Sequence, residues 1–332
     1  MSQARSRYKS LLKFTIILAL AVIILGSYTR LSDAGLGCPD WPGCYGQLVG
    51  VPEIHDPTEF ERPLEHGKAW KEMIHRYLAG GLGLAVLVIL IISIIKKRPL
   101  QQSRKLPLIL LLVVIFQAAL GMWTVTMLLS PVIVTAHLLG GFTTLALTWL
   151  IYLNLSPRPL SLTASSGLRL ASIVGLLLVI GQIFLGGWTS TNYAALACGV
   201  DFPTCMHQWW PTMDFANAFQ FKHEPGVNYE FGKLDSAART AIQVMHRIGA
   251  IIVTTYLLIF FFALLKQSDG AYKKLAWVML GFLALQVSLG IINVVDGLPL
   301  WVAVAHNLVA ALLLLTLITI NHRNWYRGIR EY

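Results

Sequence analysis

Charge is scarce in this chain. Only 13% of its 332 residues are Asp, Glu, Lys or Arg, against 56% hydrophobic, and the mean hydropathy is +0.64. A soluble domain carries about 25% charged residues, so soluble globular classes are excluded. Cysteine is sparse too, four in all, and none lies in a long apolar run, which leaves tetrahedral zinc and thiolate-bound copper poorly served there. Nor are the runs broken or charged at their middles, as a repeat-built transporter would require.

What is present is apolar length. A helix needs about 20 apolar residues to cross a bilayer, and eight such stretches run near 11–31, 71–95, 106–127, 131–153, 168–190, 240–265, 272–294 and 299–321. The fold class is an all-α integral membrane protein. Arg5, Arg7, Lys9 and Lys13 before or within the first stretch resemble the opening of a signal peptide. The stretch is long, however, and its closing set Gly26-Ser27-Tyr28-Thr29-Arg30 recurs later, so a retained helix is expected.

The net charge of +10 is distributed as a membrane protein distributes it, not as a nucleic-acid binder does. Seventeen of the 26 Lys and Arg fall on one side: the N-terminal tail, Lys96, Lys97, Arg98, Arg104 and Lys105, Arg158, Arg169, Lys266, Lys273, Lys274, and Arg323, Arg327 and Arg330. The opposite side has only Arg62, Lys68, Lys222, Lys233 and Arg239 in two long loops that also hold twelve acids. Both termini are expected to be cytoplasmic, with lipid around the spans and the long loops outside.

The first four stretches repeat in the second four. Leu25-Gly26-Ser27-Tyr28-Thr29 is answered by Leu185-Gly186-Gly187-Trp188-Thr189, and Met73-Ile74-His75-Arg76 by Val244-Met245-His246-Arg247. Likewise Gln117-Ala118-Ala119-Leu120-Gly121 is answered by Gln286-Val287-Ser288-Leu289-Gly290, and Pro131 with Ala136-His137 by Pro299 with Ala305-His306. An even number of spans per half implies a parallel repeat. Two tandem four-helix bundles are expected, 1–155 and 156–332, with outer loops 32–70 and 191–239 long enough to be functional lids.

Of nine histidines, His75, His137, His246 and His306 lie in spans, and they are the four that the repeat pairs. Ionisable residues in a membrane need a reason. All four fall early in helices that start on the outer side, about 5 to 12 Å below the surface at 1.5 Å per residue. Two histidines per half, on neighbouring helices at one depth, suit the axial positions of a haem iron. Gly80, Gly81, Gly83, Gly140, Gly141 and Gly249 either let a flat tetrapyrrole approach or simply pack helices. Arg76 and Arg247 are candidates for haem propionates, or snorkel to lipid phosphate. Glu72 shares a helical face with His75, whereas its counterpart is Gln243, so the halves are expected to do different work. Cys38 with Cys44, and Cys198 with Cys205, are expected to form two short disulfides on the oxidising side, structural or redox-active. His55, His66, His207 and His223 read as solvated loop residues rather than metal ligands.

Thr29-Arg30-Leu31, Gly35-Leu36-Gly37-Cys38-Pro39-Asp40-Trp41-Pro42 and Glu72-Met73-Ile74-His75-Arg76 resemble the signature motifs of the heme A synthase family, and the likeness runs through Asp201-Phe202-Pro203-Thr204-Cys205 and Gln208-Trp209-Trp210-Pro211. The resemblance implies oxidation of the C8 methyl of heme O to a formyl group through a hydroxymethyl intermediate, with water as oxygen donor, to supply heme A to terminal oxidases. It implies a resident haem b on His246 and His306, heme O between His75 and His137, and a catalytic Glu72. Heme O synthase is the partner it suggests. Composition alone leaves a di-haem b electron-transfer cytochrome linked to quinone as the rival.

Overall fold

The computed structural model describes residues 3–54, 59–60, 62–96, 100, 102–155, 165–222 and 224–325. His55, Lys97, Arg98, Arg158, His223, Arg327 and Arg330, named above, lie outside the described residues. The elements are α1 (Gln3–Leu31), α2 (His66–Ile95), α3 (Lys105–Thr126), α4 (Pro131–Asn154), α5 (Ser166–Thr191), the short α6 (Phe215–Ala218), α7 (Ser236–Leu265), α8 (Gly270–Val295) and α9 (Leu300–Trp325). All but α6 are long and apolar enough to cross a membrane.

Several helices start earlier than apolarity alone implies, because caps set the ends. Asp235 accepts the Ala238 N–H at 2.8 Å and begins α7 before its apolar stretch. Ser165 caps α5 through the Leu168 N–H at 3.2 Å, Asp269 caps α8 through the Ala271 N–H at 2.9 Å, and Pro131 stands at the start of α4, where its missing N–H costs nothing. The first helix extends back to Gln3, its basic tail tied down by the Arg5 guanidinium on the Leu155 carbonyl at 3.2 Å and by Lys9 over the Tyr152 ring at 5.1 Å.

Within the first half the packing runs α1–α2–α3–α4 and back to α1; in the second it runs α5–α7–α8–α9 and back to α5. The halves meet where α1 and α4 face α5 and α9. One apolar cluster continues through both, from Tyr8, Leu12 and Ile16 to Leu317 and Ile320. α9 is the most enclosed helix and α8 the least. At the short-loop end polar groups satisfy one another inside: Tyr272 donates to Asn324 at 2.9 Å, Asn324 to the Ser172 hydroxyl at 2.8 Å, and the Arg323 guanidinium pairs with Asp269.

Candidate functional site

Each of the four histidines stands on the second or fourth helix of its ring: His75 on α2, His137 on α4, His246 on α7, His306 on α9. These helices are diagonal across each bundle rather than neighbours, since α1 and α3, or α5 and α8, fill the places between. The expectation of neighbouring helices is corrected accordingly: the two histidines of a half stand on opposite helices of one four-helix ring. Because α2 and α7 start at His66 and Ser236, His75 and His246 lie about 13 to 15 Å along their helices, and His137 and His306 about 9 Å along theirs.

A glycine receives each ring. A Cβ on Gly26 of α1 would come within 2.9 Å of His75 Cε1, on Gly121 of α3 within 3.5 Å of His137 Cε1, on Gly186 of α5 within 3.3 Å of His246 Cε1, and on Gly290 of α8 within 3.1 Å of His306 Cε1. These four glycines, and not those that follow the histidines, seat the imidazoles. Of the latter, Gly140 and Gly249 receive the side-chain amides of Gln117 and Gln182, while a Cβ on Gly80, Gly81 or Gly141 would meet nothing within 4 Å.

The donor set fits haem. Each half offers two imidazoles across one interior. Nδ1 of His75, His137 and His306 is buried with no hydrogen-bond partner, and all four residues stay partly accessible. No cluster of three His, Cys, Asp or Glu suited to a bare metal ion occurs among the described residues.

Glu72 is 5% exposed and fully engaged. One carboxylate oxygen accepts the Cys38 N–H at 2.9 Å, and the other pairs with Arg76 at 2.5 Å. Arg76 also donates to the carbonyls of Asp40 at 3.0 Å and Gly43 at 2.5 Å. In the second half Gln243 takes the same place, its Oε1 accepting the Cys198 N–H at 2.6 Å and its Nε2 donating to the Ala195 carbonyl at 2.6 Å. Arg247 donates to the carbonyls of Thr204 at 2.7 Å and Asp201 at 3.0 Å, and its Nε is buried without a partner. The two rims differ chiefly by one charge.

Both disulfides form, Cys38–Cys44 and Cys198–Cys205, with Cα separations of 4.8 and 4.6 Å. Each closes a loop of like build. Cys44 pairs with Gln47 and Cys205 with Gln208 across a tight turn whose central residues, Tyr45-Gly46 and Met206-His207, are left-handed, as a type I′ turn requires. Asp40 accepts the Tyr45 N–H at 2.6 Å; Asp201 accepts the His207 N–H at 2.6 Å and the Thr204 hydroxyl at 2.8 Å. These donors hold the Asp201 carboxyl below the ordinary carboxylate range. His207 is thus a turn residue, its side chain 93% exposed, and His66 is an exposed residue at the start of α2. Gly37 is obligatory: a Cβ there would stand 2.5 Å from the Lys68 backbone, and that approach delivers the Cys38 N–H to Glu72.

The lids also brace each other across the halves. Arg62 pairs with Glu230 at 2.6 Å, Tyr229 N–H reaches the Leu128 carbonyl at 2.9 Å, and Arg30 donates to the Ser190 carbonyl at 2.6 Å while lying over the Tyr193 ring at 4.2 Å.

The model of the cytochrome oxidase assembly protein family (COX15-CtaA) matches residues 9–318. The chain belongs to this family. It is 49% identical over 325 residues to the heme A synthase of Shewanella oneidensis, covering 96% of this chain and 97% of that one. Heme A synthases of Halalkalibacterium halodurans and a Chelativorans species are 25% and 28% identical, over 93% and 90% of this chain and 95% and 86% of theirs. Family membership spans both bundles, so the two histidine pairs and both lids fall within it.

Proposed function

We propose that this protein is an integral membrane heme A synthase, oxidising the C8 methyl of heme O to a formyl group through a hydroxymethyl intermediate. The observation that carries the reading is the unmatched carboxylate: a buried Glu72 one helical turn from His75 on one rim, against neutral Gln243 on the other. A bundle that only passes electrons has no use for a proton acceptor on one side. Family membership and the 49% identical heme A synthase support the enzyme over the di-haem cytochrome.

In this reading His75 and His137 hold the iron of heme O in the first bundle, and His246 and His306 hold a resident haem b in the second. Haem b, when bound, supplies one-electron redox chemistry. Conversion of methyl to formyl adds one oxygen, from water, and releases four protons and four electrons, the electrons leaving to an external electron acceptor. Glu72 takes up a proton and orients the water at the carboxylate oxygen that Arg76 holds, once that pair loosens. Arg76 and Arg247 are the propionate candidates. Arg247 keeps a free buried Nε for that role, and Arg76 could serve only by loosening its hold on the first lid. The lids, pinned by their disulfides, keep bulk water from the reacting carbon.

The two halves, 1–155 and 156–332, are a tandem duplication whose copies have diverged at Glu72 and Gln243. The basic residues gathered at the short-loop end support an inner-membrane protein with both termini in the cytoplasm and the lids outside. Heme O is too apolar to cross water unaided, so direct delivery by heme O synthase is part of the proposal, as is release of heme A to terminal oxidase assembly. The test is Glu72→Gln and Glu72→Ala protein loaded with heme O: the haem spectrum stays and conversion stops. Full turnover in either variant removes Glu72 from the mechanism.

A further inference from the structure

The four glycines that seat the histidines end four like segments: Val22-Ile23-Ile24-Leu25-Gly26, Gln117-Ala118-Ala119-Leu120-Gly121, Gln182-Ile183-Phe184-Leu185-Gly186 and Gln286-Val287-Ser288-Leu289-Gly290. The residue four before the glycine lies one turn away on the same helical face. A glycine there exposes that residue to the imidazole, and three times in four the residue is glutamine.

Two of the glutamines are bonded to their histidines. Gln182 Nε2 lies 3.1 Å from His246 Nδ1 and donates to the His246 carbonyl at 3.0 Å, leaving its own Oε1 buried and without a partner. Gln286 Nε2 lies 3.1 Å from His306 Nε2, again with a buried, unpartnered Oε1. The Gln117 amide packs on α4 against Gly140, as Gln182 packs on α7 against Gly249, each glycine three residues past its histidine, and the Gln117 Nε2 is buried with no partner. An amide carries both a donor and an acceptor, so each can bond an imidazole whichever ring nitrogen carries the proton. Val22 carries no side-chain amide that could face His75.

We propose that Gln117, Gln182 and Gln286 are positioning residues that fix the imidazoles of His137, His246 and His306, and that Val22 leaves His75 as the exchangeable ligand. This rests on the two-haem reading above. The second bundle has an amide behind both ligands and retains its haem. The first has one behind His137 alone, so the iron of heme O can leave the His75 side on entry and release. Groups that orient a metal-bound histidine are worth about 10 to 100-fold in metal affinity when removed.

The experiment uses the full chain in nanodiscs. Haem loss is followed by transfer to excess apomyoglobin, and the reduced spectrum with and without carbon monoxide reports the axial ligands. Gln182→Met or Gln286→Met, which keep the volume and lose the amide, should speed loss of haem b about 10 to 100-fold and shift its low-spin signal. Val22→Gln should slow release of heme O about tenfold and weaken carbon monoxide binding to its iron. If Val22→Gln does not fold, Gln117→Met decides the first site, where faster heme O release is expected. Haem b loss at the wild-type rate from Gln182→Met and Gln286→Met, or unchanged heme O release and carbon monoxide binding in folded Val22→Gln, overturns the proposal. His246→Ala run alongside separates this from the underlying reading: retained haem there would overturn the site assignment itself.

Discussion

Replacing Arg76 by methionine tests how the first lid is held. The substitution keeps most of the side-chain volume but leaves Glu72, whose carboxylate is 6% exposed and whose guanidinium partner is 13% exposed, with backbone N–H donors alone. It also strips the carbonyls of Asp40 and Gly43 of a charged donor. Removing one partner of a buried ion pair costs about 3 to 5 kcal/mol; at the low end, because the pair lies at a helix rim, the closed lid loses about 3 kcal/mol, on the order of a hundredfold in its opening equilibrium. Hydrogen exchange of residues 38 to 46, read by mass spectrometry in nanodiscs, should speed up by that factor. Arg247→Met supplies the comparison, because Arg247 donates to backbone carbonyls and forms no ion pair with a carboxylate among the described residues, and its lid should lose only about 1.5 kcal/mol. Adding Glu72→Gln to Arg76→Met should recover part of the loss by removing the stranded charge. Equal effects from the two arginines, or no recovery in the double variant, would refute the ion-pair argument.

Other expectations follow from the same contacts. His246→Ala or His306→Ala should abolish the resident haem b, seen as loss of its low-spin absorption in purified protein. Gly186→Val should push the His246 ring away, costing about 1 to 3 kcal/mol of packing and most of the haem b, whereas Gly181→Ala, where a Cβ meets nothing, should leave haem content as in the wild type. Asp201 has a folded-state pKa held below its unfolded value, so its contribution is present above about pH 4 and lost as pH falls through the lowered value. Tryptophan emission should therefore show no Asp201-dependent transition between pH 5 and 8, and a transition in that range abolished by Asp201→Asn would contradict the assignment.

Much of this architecture is written locally in the chain. Eight spans follow from apolar length, and the four histidines stand out because a charge-poor chain places ionisable groups in spans sparingly. The disulfide pairs were legible because only four cysteines exist and each pair is close in sequence. Helix starts were less so, since α2 and α7 continue through polar residues under the lids, where caps such as Asp235 and not hydropathy decide. The diagonal placement of the histidines depends on the ring order of the helices, which no single segment encodes. Arg62 with Glu230 and Arg30 with Ser190 join residues far apart in sequence and leave no local trace. The glutamines did leave one: Gln-x-x-Leu-Gly occurs three times, but pairing the halves one against the other matches only Gln117 with Gln286. Gln182 emerges when all four histidine-facing helices are aligned together.

The central claim is oxidation of heme O, and the most direct measurement is extraction and chromatography of the haems from protein expressed with and without a heme O synthase. The account predicts haem b alone without heme O supply, and heme A or its hydroxymethyl precursor beside haem b with it. Two equivalents of haem b under both conditions, with no oxidised product, would contradict it and make the protein an electron-transfer cytochrome.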